Sequence, residues 1–376
     1  MREQDLLDWD WVREHRSTMW ARMPAQAMAR RAQSHPNDPV LGDGRTTLVA
    51  DELAHRVAGV ATQLLEEGTD RPVVVLVDWS LTSAIAILGV QWSGRCVIPL
   101  NSSDPKAWLS GILDRIGDCT IADATGVNSV LFEDRSIIDV SRVVPNWVDP
   151  VPVRGDSPSL VIFTSGSTGV PKGVIRLGWQ DDVASMRIRR DFSNETRSAV
   201  FAPLHWIGGL NVLRSKLGDG YLCLVDPRSM SAAELIDIVR KERIEALHLT
   251  PSLAESLHRE LSGAEGVETV TRVRFIGEEA RWSSVRAARA LGGERTVVCA
   301  TLAASVSLGT IARIEIVPDE PLGTGRLPIG RSVGEHIRLE PLDEDSSTLS
   351  ELTVHRWVSH GYWGDPQSTA KVFTHT

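Results

Sequence analysis

Thr164-Ser165-Gly166-Ser167-Thr168-Gly169-Val170-Pro171-Lys172-Gly173 is the stretch around which the chain is organised. An apolar run, Leu160-Val161-Ile162-Phe163, precedes it and Val174-Ile175 follows, so it reads as strand, loop, strand. Its glycines let the backbone turn sharply and bring N–H groups close to a ligand. Thr164, Ser165, Ser167 and Thr168 add hydroxyls, and Lys172 adds a positive charge. Such a loop suits polyphosphate. It is not a Walker A loop, because Lys172 stands between Pro171 and Gly173 and leads into a strand rather than a helix.

Outward from the loop, strands alternate with helices. Leu53, Val57, Val60, Ala61 and Leu64 recur at helical spacing before Gly68, and Val73 to Val77 reads as a strand. Helices near 82–92 and 105–116 flank strands at 96–100 and 120–122. Beyond the loop come strands at 221–225, 246–249, 273–276 and 296–299, with helices at 252–261 and 283–291 between them. A further helix opens at Ser231 with Glu234 three positions on, a capping box. This alternation predicts parallel sheets covered by helices on both faces.

The expected fold is therefore α/β, with two stacked α/β subdomains over 41–305 that carry the phosphate loop. After residue 305 the pattern turns to strict alternation, as in Ile314-Glu315-Ile316 and Glu335 to Glu340. A small antiparallel, barrel-like β subdomain is expected over 306–376. Residues 1–40 form a leader and linker in which Trp9, Trp11 and Trp20 either pack on the main body or line a ligand entrance.

Composition narrows the partners. The 376 residues are 42% hydrophobic and carry a formal charge of -9, with Lys and Arg spread along the chain, so no nucleic-acid footprint is expected. No window approaches a membrane span and no signal peptide stands at the start, which predicts a cytoplasmic protein. Cys96, Cys119, Cys223 and Cys299 lack zinc or redox spacing and read as buried thiols.

Phe163 to Gly173 resembles the signature phosphate loop of the adenylate-forming superfamily: acyl-CoA synthetases, peptide-synthetase adenylation domains and luciferases. Other stretches are similar to family motifs in the same order. They are Val90 to Leu100, Pro203-Leu204-His205-Trp206-Ile207-Gly208-Gly209-Leu210, Thr250-Pro251-Ser252-Leu253, Ser350-Glu351-Leu352, Gly361 to Pro366, and Thr369 to Phe373. The resemblance covers nearly the whole chain and points to the acyl-CoA synthetase branch.

That resemblance implies the large domain of a carboxylic acid–CoA ligase. ATP and an acid give acyl-AMP, and a thiol, usually CoA, then takes the acyl group. Thr164, Ser165, Gly166, Ser167, Thr168, Gly169 and Lys172 would hold the β and γ phosphates, by charge-assisted hydrogen bonds. Gly277, Glu278, Glu279 and Ala280 would border the adenine, with Ala300, Thr301, Leu302, Ala303 and Ala304 beside the adenylate. His205, Trp206, Gly208 and Gly209 would form the acyl pocket, and the Trp usage hints at a bulky apolar acid.

Two departures qualify the expectation. The family's Tyr-Gly-x-Thr-Glu motif falls on Ala300 to Ala304, so the threonine near the α-phosphate and the Mg²⁺ glutamate become Ala303 and Ala304. No Asp or Glu occurs between Glu294 and Glu315, so Mg²⁺ finds no side-chain ligand in that stretch and no metal residue is assigned. Adenylation is expected to be weak or lost, with acyl-AMP supplied by a separate adenylating enzyme. The alternatives are an ordinary ATP-dependent ligase and a non-catalytic module that binds nucleotide or acyl ligand. The second departure is that the family's C-terminal domain, with its catalytic lysine, has no counterpart up to Thr376, and the parent protein is expected to continue.

Overall fold

A computed structural model describes residues 8–21, 24–126, 132, 135–164, 171–261, 266–333, 337–341 and 350–373. Two large sheets dominate. The first runs, in spatial order, Gly361–Tyr362, Lys172–Leu177, Pro158–Thr164, Val97–Asn101, Val73–Val77, Thr120–Asp123 and Ile137–Asp139. The second runs Arg331–Ser332, Ala312–Ile316, Val297–Leu302, Arg272–Phe275, Ala246–Leu249, Arg197–Val200, Tyr221–Leu224, Pro39–Gly42 and Thr47–Val49. Their central strands are parallel. Val73–Val77 is buried at every position, the expected state of a parallel strand covered on both faces.

One hydrophobic core joins the two sheets. It takes Val57, Val60 and Leu64 from the helix Ala50–Glu66, Ile87 and Val90 from Leu81–Trp92, and Leu210 and Leu213 from Ile207–Lys216. The capping box on the helix Ala232–Lys241 forms as expected: Ser231 N–H donates to Glu234 at 2.8 Å, and Glu234 N–H donates to the Ser231 hydroxyl at 3.3 Å.

Buried charges are paired. Arg214 donates both Nη atoms to Asp181, at 2.8 and 2.6 Å, which joins the helices Gly178–Asp191 and Ile207–Lys216. Glu195 lies among His248, Arg274 and Lys216. Burial alone would raise its pKa, but these three neighbours outweigh that and hold the carboxyl far below its usual range. All four cysteines are free and buried, as expected of inert thiols, and burial pushes the Cys299 thiol up to about 11.

The leader packs on the body. Asp8 caps the helix Trp9–His15, and Trp9 meets Trp179 and Trp357 edge-on with ring centroids 6.3 and 5.1 Å apart. No barrel closes among the described residues, and the C-terminal strands go to three places instead. Ala312–Ile316 pairs antiparallel with Val297–Leu302, Gly361–Tyr362 pairs with Lys172–Leu177, and Ile337–Pro341 forms a hairpin with Ser350–Val354. The physical reason is that the two large sheets each offer an open edge, and an edge strand satisfies its backbone groups by pairing. Glu335 and His336 lie outside the described residues.

Candidate functional site

In a parallel sheet the loops that leave the carboxyl ends of neighbouring strands converge, and such a crevice is where open α/β folds bind ligands. Here Arg197–Val200 leads to His205 and Trp206, Ala246–Leu249 to Thr250, Arg272–Phe275 to Gly277, and Val297–Leu302 to Ala303. These strands are neighbours in the second sheet.

The crevice has a volume of about 410 Å³, within the range of small-molecule sites. Gly277, Glu278, Glu279 and Ala280 form one wall and Ala300, Thr301, Leu302 and Ala303 another. The two stretches expected beside the adenylate therefore meet. Ala300 is level with Phe275 in the parallel register, and the Thr301 hydroxyl donates to Phe275 O at 3.3 Å. Ala304 sits just behind, its N–H donating to the Ser307 hydroxyl at 3.2 Å.

A third wall, Leu327, Pro328 and Ile329, was not anticipated. The apolar triplet before Gly330 was the available signal, and Arg326 beside it pairs with Glu279 at 3.0 Å. A smaller hollow of about 200 Å³ among the outer helices, lined by residues such as Ile236, His258 and Leu291, contains none of the expected site residues.

None of the expected acyl-pocket residues lines this crevice; Trp206 and Gly208 lie beside it, against Gly277 and Ile276. Trp206 is 44% exposed and caps Gly277, whose φ of +82° is the left-handed conformation that glycine tolerates. Gly208 faces Ile276, and a Cβ on Gly209 would stand 2.4 Å from Pro203 O, so the helix start at Ile207 needs glycine for its close approach. Burial, with the Arg228 guanidinium nearby, pushes His205 down to about 4. Its imidazole is neutral at neutral pH. Arg228 stacks on Trp79, 3.9 Å from the ring centroid, a neighbour that the sequence motifs do not indicate.

Of the phosphate-loop residues, Thr164 and Lys172 are described; Ser165, Gly166, Ser167, Thr168 and Gly169 lie outside the described residues. Thr164 and Lys172 face each other in the antiparallel register at the mouth of the loop. The Thr164 hydroxyl donates to Lys172 O at 3.4 Å, and Arg115 donates to Pro171 O at 2.9 Å.

The fit to a metal is poor. Ala303 and Ala304 offer no oxygen from side chains, Glu278 accepts the Ser252 N–H at 3.3 Å, and Glu279 is paired with Arg326. Among the described residues no cluster of His, Cys, Asp or Glu has metal-binding geometry. The crevice does fit an adenylate in size, and the Trp206 indole takes the space over Gly277 where a side chain would stand. No described helix is long and apolar enough to cross a membrane.

The chain belongs to the AMP-binding enzyme family, whose pattern matches residues 28–351. It is 25% identical over 357 residues to surfactin synthase subunit 1 of Bacillus subtilis, covering 87% of this chain and 10% of that protein. It is also 25% identical over 379 residues to the nonribosomal peptide synthetase ungA of Aspergillus violaceofuscus, covering 92% of this chain and 4% of that one. The chain thus spans a small fraction of these curated relatives. Among solved structures, FmoA3, a nonribosomal peptide synthetase in its AMPPNP-bound form, matches with a TM-score of 0.78 at 19% identity, covering 95% of this chain and 40% of that one. The Klebsiella oxytoca NpsA N-terminal subdomain in complex with 3-hydroxybenzoyl-AMSN matches with a TM-score of 0.74 at 18% identity, covering 94% and 91%. These likenesses establish the adenylate-forming large-domain fold. The relatives are peptide synthetases, where the motifs had pointed to acyl-CoA synthetases.

Proposed function

We propose that this chain holds the acyl-adenylate of a carboxylic acid, forms it from ATP slowly, and serves chiefly the transfer of the acyl group from that adenylate to a thiol. The observation that carries the reading is the pairing of an adenylate-sized crevice with alanine at both Ala303 and Ala304. Preorganised charge at a reacting phosphate commonly accounts for about 10²- to 10³-fold in rate. A site without it retains binding more readily than turnover.

The acid is bulky and apolar on this reading, because Trp206 offers it a broad apolar face beside Gly277. The acceptor is CoA by the motif resemblance, and a carrier-bound thiol is the alternative that the peptide-synthetase relatives favour.

The test joins two measurements. Calorimetry with a non-hydrolysable aryl-sulfamoyl adenosine should give saturable binding, and acid-dependent exchange of pyrophosphate into ATP should run far below ordinary ligase rates. Brisk exchange would return the chain to the ordinary ATP-dependent ligases. Binding with no thioester formed from synthetic acyl-AMP and either thiol, in the presence of a family C-terminal domain, would leave a binding module.

A further inference from the structure

Lys172 and Tyr362 meet across two strands from distant parts of the chain. Gly361–Tyr362 pairs antiparallel with Lys172–Leu177, which sets Tyr362 opposite Val174. Residues two apart on a strand share a face, so Lys172 and Tyr362 emerge on the same side. Lys172 Nζ lies 5.2 Å from the centroid of the Tyr362 ring, within the range of a cation–π contact.

The ring is itself held. Tyr362 N–H donates to the Thr369 hydroxyl at 2.9 Å, that hydroxyl donates to Asp365 O at 2.7 Å, and Phe373 packs edge-on to the ring at 5.3 Å. Trp363 N–H donates to Gly173 O at 2.7 Å, fixing the register next to the lysine. Thr369 and Phe373, which belong to one of the C-terminal stretches singled out in the sequence, thereby act together to immobilise Tyr362.

A lysine on four flexible methylenes loses much rotamer freedom when it engages a phosphate. A ring that confines the ammonium beforehand lowers that entropic cost. We propose that Tyr362 is a positioning residue for Lys172, so that the Gly361–Phe373 segment belongs to the polyphosphate site although it lies outside the crevice. This rests on the reading of Lys172 as a contact to the β and γ phosphates.

Equilibrium binding of ATP and of AMP to the whole chain tests it, because AMP lacks the phosphates that Lys172 would touch. Tyr362→Leu should weaken ATP about 3- to 10-fold and leave AMP alone. Tyr362→Phe, which keeps the ring, should retain the affinity. Fluorinated phenylalanines at 362 should lose it step by step as the ring face becomes less negative, at nearly constant shape, which keeps the test available if Tyr362→Leu does not fold. In a Lys172→Met background these substitutions should have no effect on ATP. Equal losses for ATP and AMP, or fluorinated rings that bind ATP as tightly as phenylalanine, would overturn the role of Tyr362 alone. A wild-type chain that binds ATP no more tightly than AMP would instead overturn the phosphate role of Lys172, and with it any positioning role for Tyr362.

Discussion

The indole of Trp206 rests over Gly277 so closely that a Cβ there would stand 3.3 Å from Cζ3. Gly277 also has a φ of +82°. An alanine is disfavoured twice, once in a left-handed backbone at about 1–2 kcal/mol and again in displacing the indole. Gly277→Ala should weaken binding of an acyl-sulfamoyl adenosine by about tenfold or more, read by calorimetry, and should lower the urea midpoint as well.

Restoring the missing pair tests the proposal that adenylation is slow. Ala303 is exposed on the crevice and Ala304 is half-buried next to it. Ala303→Thr with Ala304→Glu should raise pyrophosphate exchange into ATP by about 10-fold or more, and the gain should depend on Mg²⁺. No gain would mean that the loss of those side chains does not limit the reaction.

His205 gives a pH dependence with a definite sign. Its folded form titrates at about 4 and its unfolded form near 6.5. Between those values the unfolded chain takes up a proton that the folded chain refuses, so His205 lowers stability as pH falls through that window. Above it the residue is neutral in both states and has no such effect. Urea midpoints measured across the window should fall less steeply for His205→Gln than for wild type.

The Asp181–Arg214 pair predicts a stability effect remote from the crevice. Both side chains are almost fully buried, at 2% and 1% exposure, and bonded in a two-point fork. Removing one partner leaves the other charge stranded, at about 3–5 kcal/mol. Asp181→Ala should lower the denaturation midpoint markedly, while Ser159, which donates to Asp181 at 3.0 Å, should tolerate alanine far better.

Much of this arrangement could be read from the chain. Val73–Val77, Ala246–Leu249 and the Ser231–Glu234 box announce themselves through local composition and spacing, because a buried parallel strand and a capped helix are encoded over few residues. The convergence of Gly277 to Ala280 with Ala300 to Ala303 followed from motif order. The destinations of Ala312–Ile316 and Gly361–Tyr362 did not, since a short alternating strand states that it needs a partner without stating which edge will supply it. For the same reason Leu327 to Ile329 escaped notice as a wall, and Tyr362 as the neighbour of Lys172.

The pairing of Gly361–Tyr362 onto Lys172–Leu177 also matters to anyone trimming this protein. That two-residue strand is the outermost member of the first sheet. Cutting the chain ahead of Gly361 would uncover the backbone donors and acceptors of a strand that also carries the buried Val174 and the half-buried Ile175. Such an unprotected edge recruits strands from other molecules. A shortened version should therefore self-associate as concentration rises, and a crystallisation or screening fragment is best ended beyond Phe373.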